Sequence, residues 1–116
     1  MSRLLQRIRS YLTPAAQAQE RISDLLLELR DGGLSFDLQI IEEGGQTYFY
    51  AQSVDYPRGY ISATGATPEE LEAELKDAIF TAFGVPPRYC NPDLIDFTPK
   101  LSEATSEVTS SVYATT

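Results

Sequence analysis

Hydrophobic and polar positions change period several times along the chain, and each change marks an element. In residues 2–12, Leu4, Leu5, Ile8, Tyr11 and Leu12 recur at helical spacing, which predicts a short amphipathic helix flanked by Arg3, Arg7 and Arg9. Thr13 is placed to cap a second helix, and Pro14 suits its first turn, where the missing N–H has no partner to lose. That helix runs to about Arg30, with Ile22, Leu25, Leu26 and Leu29 as its apolar stripe. Asp31-Gly32-Gly33 ends it, since glycine takes the left-handed conformation of a helix stop.

The period then drops to two. Leu34, Phe36, Leu38 and Ile40 alternate with Ser35, Asp37 and Gln39, the signature of a strand over residues 34–41 with one apolar face. Glu42-Glu43-Gly44-Gly45 supplies a hairpin turn. Gln46–Val54 follows as a second strand, dense in sheet formers and fairly apolar on both faces. Asp55-Tyr56-Pro57-Arg58-Gly59 reads as a loop, and Tyr60–Thr64 as a short third strand.

Thr67-Pro68-Glu69-Glu70 is the clearest local signal. Thr67 can cap a helix that begins with Pro68, and Glu70 stands where its carboxylate can return a bond to the Thr67 N–H. The helix reaches about Phe83, with Leu71, Leu75, Ala78, Ile79, Ala82 and Phe83 on one face and Glu72 spaced to pair with Lys76. Gly84 and Pro86-Pro87 stop it. Leu94–Phe97 is a weak candidate for a fourth strand. From Lys100 onward, eight of seventeen residues are Ser or Thr, so the end of the chain reads as a flexible tail. The alternative for Val112–Thr116 is a strand added to an exposed sheet edge.

These elements predict an α+β fold: a small antiparallel three- to four-stranded sheet covered by one helix and preceded by two amphipathic helices. The implied organisation is N-terminal helices over 1–31, an α+β domain over 34–97 and a Ser/Thr-rich tail over 98–116. The second sheet face is the expected seat for the N-terminal helices or for self-association.

Composition narrows the function classes. The chain has 116 residues, 9 basic and 17 acidic side chains, and a net charge of -8. Residues 1–30 carry five Arg against three acids, whereas residues 31–116 carry four bases against fourteen acids. An acidic body repels nucleic acid phosphates and suits a small basic protein partner whose approach it steers. Histidine is absent and Cys90 is the lone cysteine, which removes His-based nucleophile activation and most zinc chemistry. No metal or cofactor is expected, and Cys90 reads as a partly buried small hydrophobe. No apolar run approaches the roughly 20 residues of a membrane span, and the basic first residues lack the apolar core of a secretory signal. A cytoplasmic setting is the default.

Residues 34–83 also resemble the HicB-like antitoxin domain, the antitoxin half of bacterial toxin–antitoxin pairs. The resemblance lies in Ser35-Phe36-Asp37-Leu38-Gln39-Ile40, Tyr48-Phe49-Tyr50-Ala51, Asp55-Tyr56-Pro57-Arg58-Gly59-Tyr60 and Gly65-Ala66-Thr67-Pro68-Glu69-Glu70-Leu71. It departs from the family at Tyr60, where cysteine is common, and at Arg58, which intervenes between Pro57 and Gly59. No C-terminal DNA-binding segment is visible. The resemblance implies occlusion of a small basic RNA-cleaving toxin by protein contact, with self-association through the sheet or the N-terminal helices.

Tyrosine is unusually concentrated between residues 48 and 60, and tyrosine serves protein interfaces well because its ring is apolar and its hydroxyl polar. Tyr48, Tyr50, Asp55, Tyr56, Arg58 and Tyr60 are therefore the candidate partner-binding residues. The expected function is a non-catalytic protein-interaction module. One rival is a structural or adaptor homo-oligomer of the same fold without a toxin partner. Another is a carboxylate-dependent enzyme, for which Glu69, Glu70, Glu72, Glu74 and Asp77 supply acids on what reads as a solvated helix face.

Overall fold

The structure, a computed structural model, describes residues 14–54, 56–57, 59–105 and 110–116. The expected helix over residues 2–12 lies outside them. Helix α1 (Pro14–Arg30) ends at Gly32 and Gly33, both at positive φ. The alternating segment after it forms β1 (Leu34–Glu43), which turns through Gly44-Gly45 into β2 (Gln46–Val54). Strand β3 (Ser62–Gly65) completes a meander, and helix α2 (Pro68–Ala82) follows. Two single 3₁₀ turns, Pro87–Tyr89 and Pro92–Leu94, lead to β4 (Asp96–Thr98), helix α3 (Leu101–Ala104) and β5 (Ser110–Thr115).

The strands form one open antiparallel sheet of five strands in the order β3-β2-β1-β5-β4, accompanied by three helices among the described residues. This corrects the expected sheet of three or four strands under a single helix. Residues 98–116, expected as a flexible tail, contribute α3 and β5 instead. β5 adds to the free edge of the meander, the alternative stated for Val112–Thr116. It sits beside β1 and carries β4 on its far side.

The physical reason is one-sided burial. In register, Leu34 pairs with Ala114, and Phe36 lies between Ser53 and Val112. Directly paired residues share a face, so Leu34, Phe36, Ala51, Phe97, Val112 and Ala114 all point into the core. Val112 and Ala114 are completely buried. Without β5, one side of β1 would present unpaired backbone groups beside a core lacking two of its apolar residues.

Helices cover this face. Leu71, Leu75 and Ile79 of α2 are fully buried, and Leu25 and Leu29 of α1 enter the same core as Leu34 and Phe36. Each such side chain contributes roughly 1.5–3 kcal/mol of burial free energy. The N-terminal helix α1 therefore packs on the covered face, not on the second face, which the sequence offers either to the N-terminal helices or to self-association.

Close packing also fixes the junctions. A Cβ on Gly65 would stand 2.4 Å from the Leu71 backbone nitrogen, so β3 and α2 meet at a contact that tolerates no side chain. A Cβ on Gly33 would stand 2.6 Å from the Ala114 carbonyl oxygen, which lets the turn after α1 press against β5. The Thr67 hydroxyl accepts from the Glu70 N–H at 3.1 Å, the forward bond of the expected capping box, worth about 1 kcal/mol. Lys76 and Glu72 approach to 4.0 Å, an ion pair at the limit of contact.

If β5 is a core strand, its alternation must show in stability. Val112→Asp buries an unpaired carboxylate and is expected to abolish cooperative thermal unfolding, whereas Tyr113→Asp, on the open side, shifts the melting temperature by only a few degrees. Equal tolerance of the two substitutions in calorimetry would show that the strand is not part of the core.

Candidate protein-interaction surface

The second face of the sheet carries no helix among the described residues. Its positions follow from the register: Ser35, Asp37, Gln39, Ile41 and Glu43 of β1, with Tyr48, Tyr50, Gln52 and Val54 opposite them on β2. Ser62 and Thr64 extend it on β3, Ser111 and Tyr113 on β5, and Asp96 and Thr98 on β4. This is an antiparallel sheet with one face packed and one solvated, so polar residues alternate with the core set.

Three features give the face its chemistry. Asp37, Glu43 and Asp96 are exposed, and the strand positions of this face include no lysine or arginine. Tyr48 and Tyr50 are half-buried, and Tyr113 is 48% exposed. Hydrogen bonds between neighbours hold the layer in order: Tyr48 donates to Gln46 Oε1, Tyr50 to Gln52 Oε1 at 3.2 Å, and Ser111 to Asp37 Oδ1 at 3.5 Å across β1 and β5.

The loop between β2 and β3 raises a wall at one end. Ser53 anchors it by donating its N–H to the Ile61 carbonyl at 2.8 Å and accepting the Ile61 N–H on its hydroxyl at 3.0 Å. Between this wall and the open face lies a shallow cavity of about 610 Å³, bounded by Asp37, Gln39, Gln52, Tyr56 and Tyr60 among others. Tyr60 is 78% exposed, a large ring held in water at the rim. Among the described residues, Asp37 is the one carboxylate of the lining, beside carboxamides and phenols. Such a surface donates and accepts hydrogen bonds and attracts positive charge.

Of the six candidate residues, Tyr48 and Tyr50 lie on the open face and Tyr60 at the cavity rim. Tyr56 also lines the cavity, but its ring packs against Phe83 with centroids 6.2 Å apart, so part of it serves the core. Asp55 and Arg58 lie outside the described residues. Asp37, Gln39, Gln52 and Tyr113 join the surface although they were not singled out. The alternation of β1 already turned Asp37 and Gln39 away from the apolar face, but only cross-strand register brings them beside Tyr50 and Gln52.

The acidic helix cluster behaves differently. Glu69, Glu70, Glu74 and Asp77 are exposed on α2. Among the described residues, no group of three or more His, Cys, Asp or Glu is placed to hold a metal ion, and no helix is long and apolar enough to cross a membrane. Cys90 is half-buried, and its thiol points at the Pro86 carbonyl at 3.4 Å and the Val85 carbonyl at 3.7 Å. Burial, with the Asp77 carboxylate nearby, pushes the thiol pKa up.

Comparisons of the chain with protein-family models, with curated proteins and with solved structures give no match. The HicB-like resemblance therefore stands on the quoted residues alone.

The raised thiol pKa makes a direct prediction. The thiolate is the reactive form, and the fold disfavours it below the folded pKa. At pH 8, iodoacetamide should alkylate Cys90 more slowly in the native protein than in denaturant, and the gap should narrow as pH rises through the folded value. Equal rates at pH 8, followed by mass spectrometry, would contradict the burial.

Proposed function

We propose that the protein is a non-catalytic interaction module whose open sheet face binds a protein partner rich in lysine and arginine. The observation that supports this reading most is the pairing of three carboxylates with an absence of cations on the strand positions of the open face, beside Tyr48, Tyr50 and Tyr113. Opposite charge steers a basic partner onto the face, and the tyrosines supply contact area at low conformational cost. The narrower form of the reading is antitoxin-like occlusion of a small basic RNA-cleaving toxin in the cytoplasm. It draws on the HicB-like residues and on the overall charge of -8.

Self-association is the second reading, and a specific feature favours it. Among the described residues, β5 pairs with β1 as far as Leu38, and β3 pairs with β2 from Phe49 onward. Among the described residues the hairpin beyond these points is a two-stranded arm, with Ile40 and Ile41 on opposite faces at 52% and 38% exposure. Two-stranded ribbons are marginally stable alone, and a second copy could cover both isoleucines.

One purification separates the readings. Untagged protein recovered from its native cells at low salt is expected to carry a stoichiometric basic companion, released as ionic strength rises. Asp37→Lys should melt within a few degrees of the parent and lose the companion. A companion that the variant retains unchanged would remove the open face from the interface. A homo-oligomer by light scattering, with no companion, would favour the arm.

A further inference from the structure

Strand register gives the cavity between the loop wall and the open face a definite arrangement of groups. Asp37 and Gln52 are direct cross-strand partners on β1 and β2, so their Cβ atoms stand about 4.5–5.5 Å apart. Gln39 follows two residues along β1 on the same face, about 7 Å from Asp37. These lining side chains form a triangle of one carboxylate and two carboxamides. Ser111 donates to Asp37 Oδ1 at 3.5 Å from β5, the strand on the other side of β1 from the cavity.

The surroundings of the triangle are apolar or aromatic. Val54 borders it at 36% exposure, the Tyr60 ring stands at the rim, and the Tyr56 ring is braced by Phe83. No lysine or arginine among the described residues lines the cavity.

Lysine and arginine would meet this arrangement differently. An ammonium is a compact, strongly hydrated point charge, and it would use Asp37 and little else. A guanidinium is planar, sheds water more readily and carries five donors in a fixed fork. Two of those donors match a carboxylate side by side, and the others suit carboxamide oxygens next to it. Its flat face stacks on a tyrosine ring, and its methylene stem lies along apolar surface. The triangle offers the first set of contacts, Tyr60 the second and Val54 the third.

We propose that this cavity seats an arginine side chain of the protein partner, with the guanidinium on Asp37, Gln39 and Gln52, its plane against Tyr60 and its stem along Val54. The inference rests on the open-face reading and narrows it: the face as a whole attracts positive charge, whereas the cavity selects arginine over lysine.

The test titrates the full isotope-enriched chain with two blocked tripeptides, acetyl-Gly-Arg-Gly-amide and its lysine counterpart, and follows backbone amide and carboxamide resonances. The arginine peptide is expected to shift Asp37, Gln52 and Tyr60 together with the side-chain NH₂ signals of Gln39 and Gln52. It should saturate at millimolar concentration and bind roughly fivefold or more tightly than the lysine peptide. Asp37→Asn should weaken both peptides. Tyr60→Leu, which keeps apolar bulk without the flat ring, should bring the two affinities together. Equal affinities in the parent chain would overturn arginine selection and leave the charge-steered open face standing. No shift with the arginine peptide, or shifts confined to Glu42, Glu43 and the acids of α2, would overturn the cavity as its seat; the open-face reading then stands or falls separately, on the salt-released companion and its loss in Asp37→Lys. Binding that emerges only in Arg58→Ala would assign the cavity to the chain's own arginine and overturn the partner site.

Discussion

β1 is paired on both sides, and the rest of the fold depends on that double pairing. Its Leu34 and Phe36 are buried only because Ala114 and Val112 stand beside them on β5 while β2 closes the other flank. The backbone groups of β1 are thereby satisfied by two segments, one next to it in sequence and one about 75 residues away, a separation that carries the larger loop-closure cost. The consequence for function is geometric. Strands from both ends of the chain build one continuous open face, and Asp37, Gln52 and Ser111 line up across it.

The division of labour between faces follows from the same constraint. Among the described residues all helical cover goes to one side, where α2 lies over β2 and β3 and α1 joins the core near β5. The open side keeps its carboxylates in water, where they cost no desolvation and remain able to attract cations. Tyrosine suits the boundary between the regimes. Tyr56 turns its ring to Phe83, whereas Tyr60 leaves its ring in solvent.

Much of the local structure was legible in the sequence because its signals are local. The alternation of Leu34, Phe36 and Leu38, the Gly44-Gly45 turn, the Thr67-Pro68 cap and the glycines after Arg30 each act within a few residues, and β2 starts and ends at Gln46 and Val54 as read. β5 was not legible as a core strand. Only Val112 and Ala114 face inward, from a stretch rich in Ser and Thr, and their burial comes from β1 and the helices. The candidate surface was half legible for the same reason. Tyr48, Tyr50 and Tyr60 announce themselves by composition, but Tyr113 reaches the surface only once β5 is inserted, and Asp37 gains its neighbours only through register. The placement of α1 is not legible in the sequence, because its apolar stripe specifies that it must be covered without specifying which sheet face covers it.

The central claim is that the open face is where a partner sits. Hydroxyl-radical footprinting of the protein alone and with its co-purified companion reads the solvent exposure of each tyrosine in one experiment. The account predicts that Tyr50, Tyr60 and Tyr113 lose reactivity together in the complex while Tyr89, outside the open face, keeps its rate. Unchanged reactivity at those three tyrosines, with protection confined to the helical side, would contradict it.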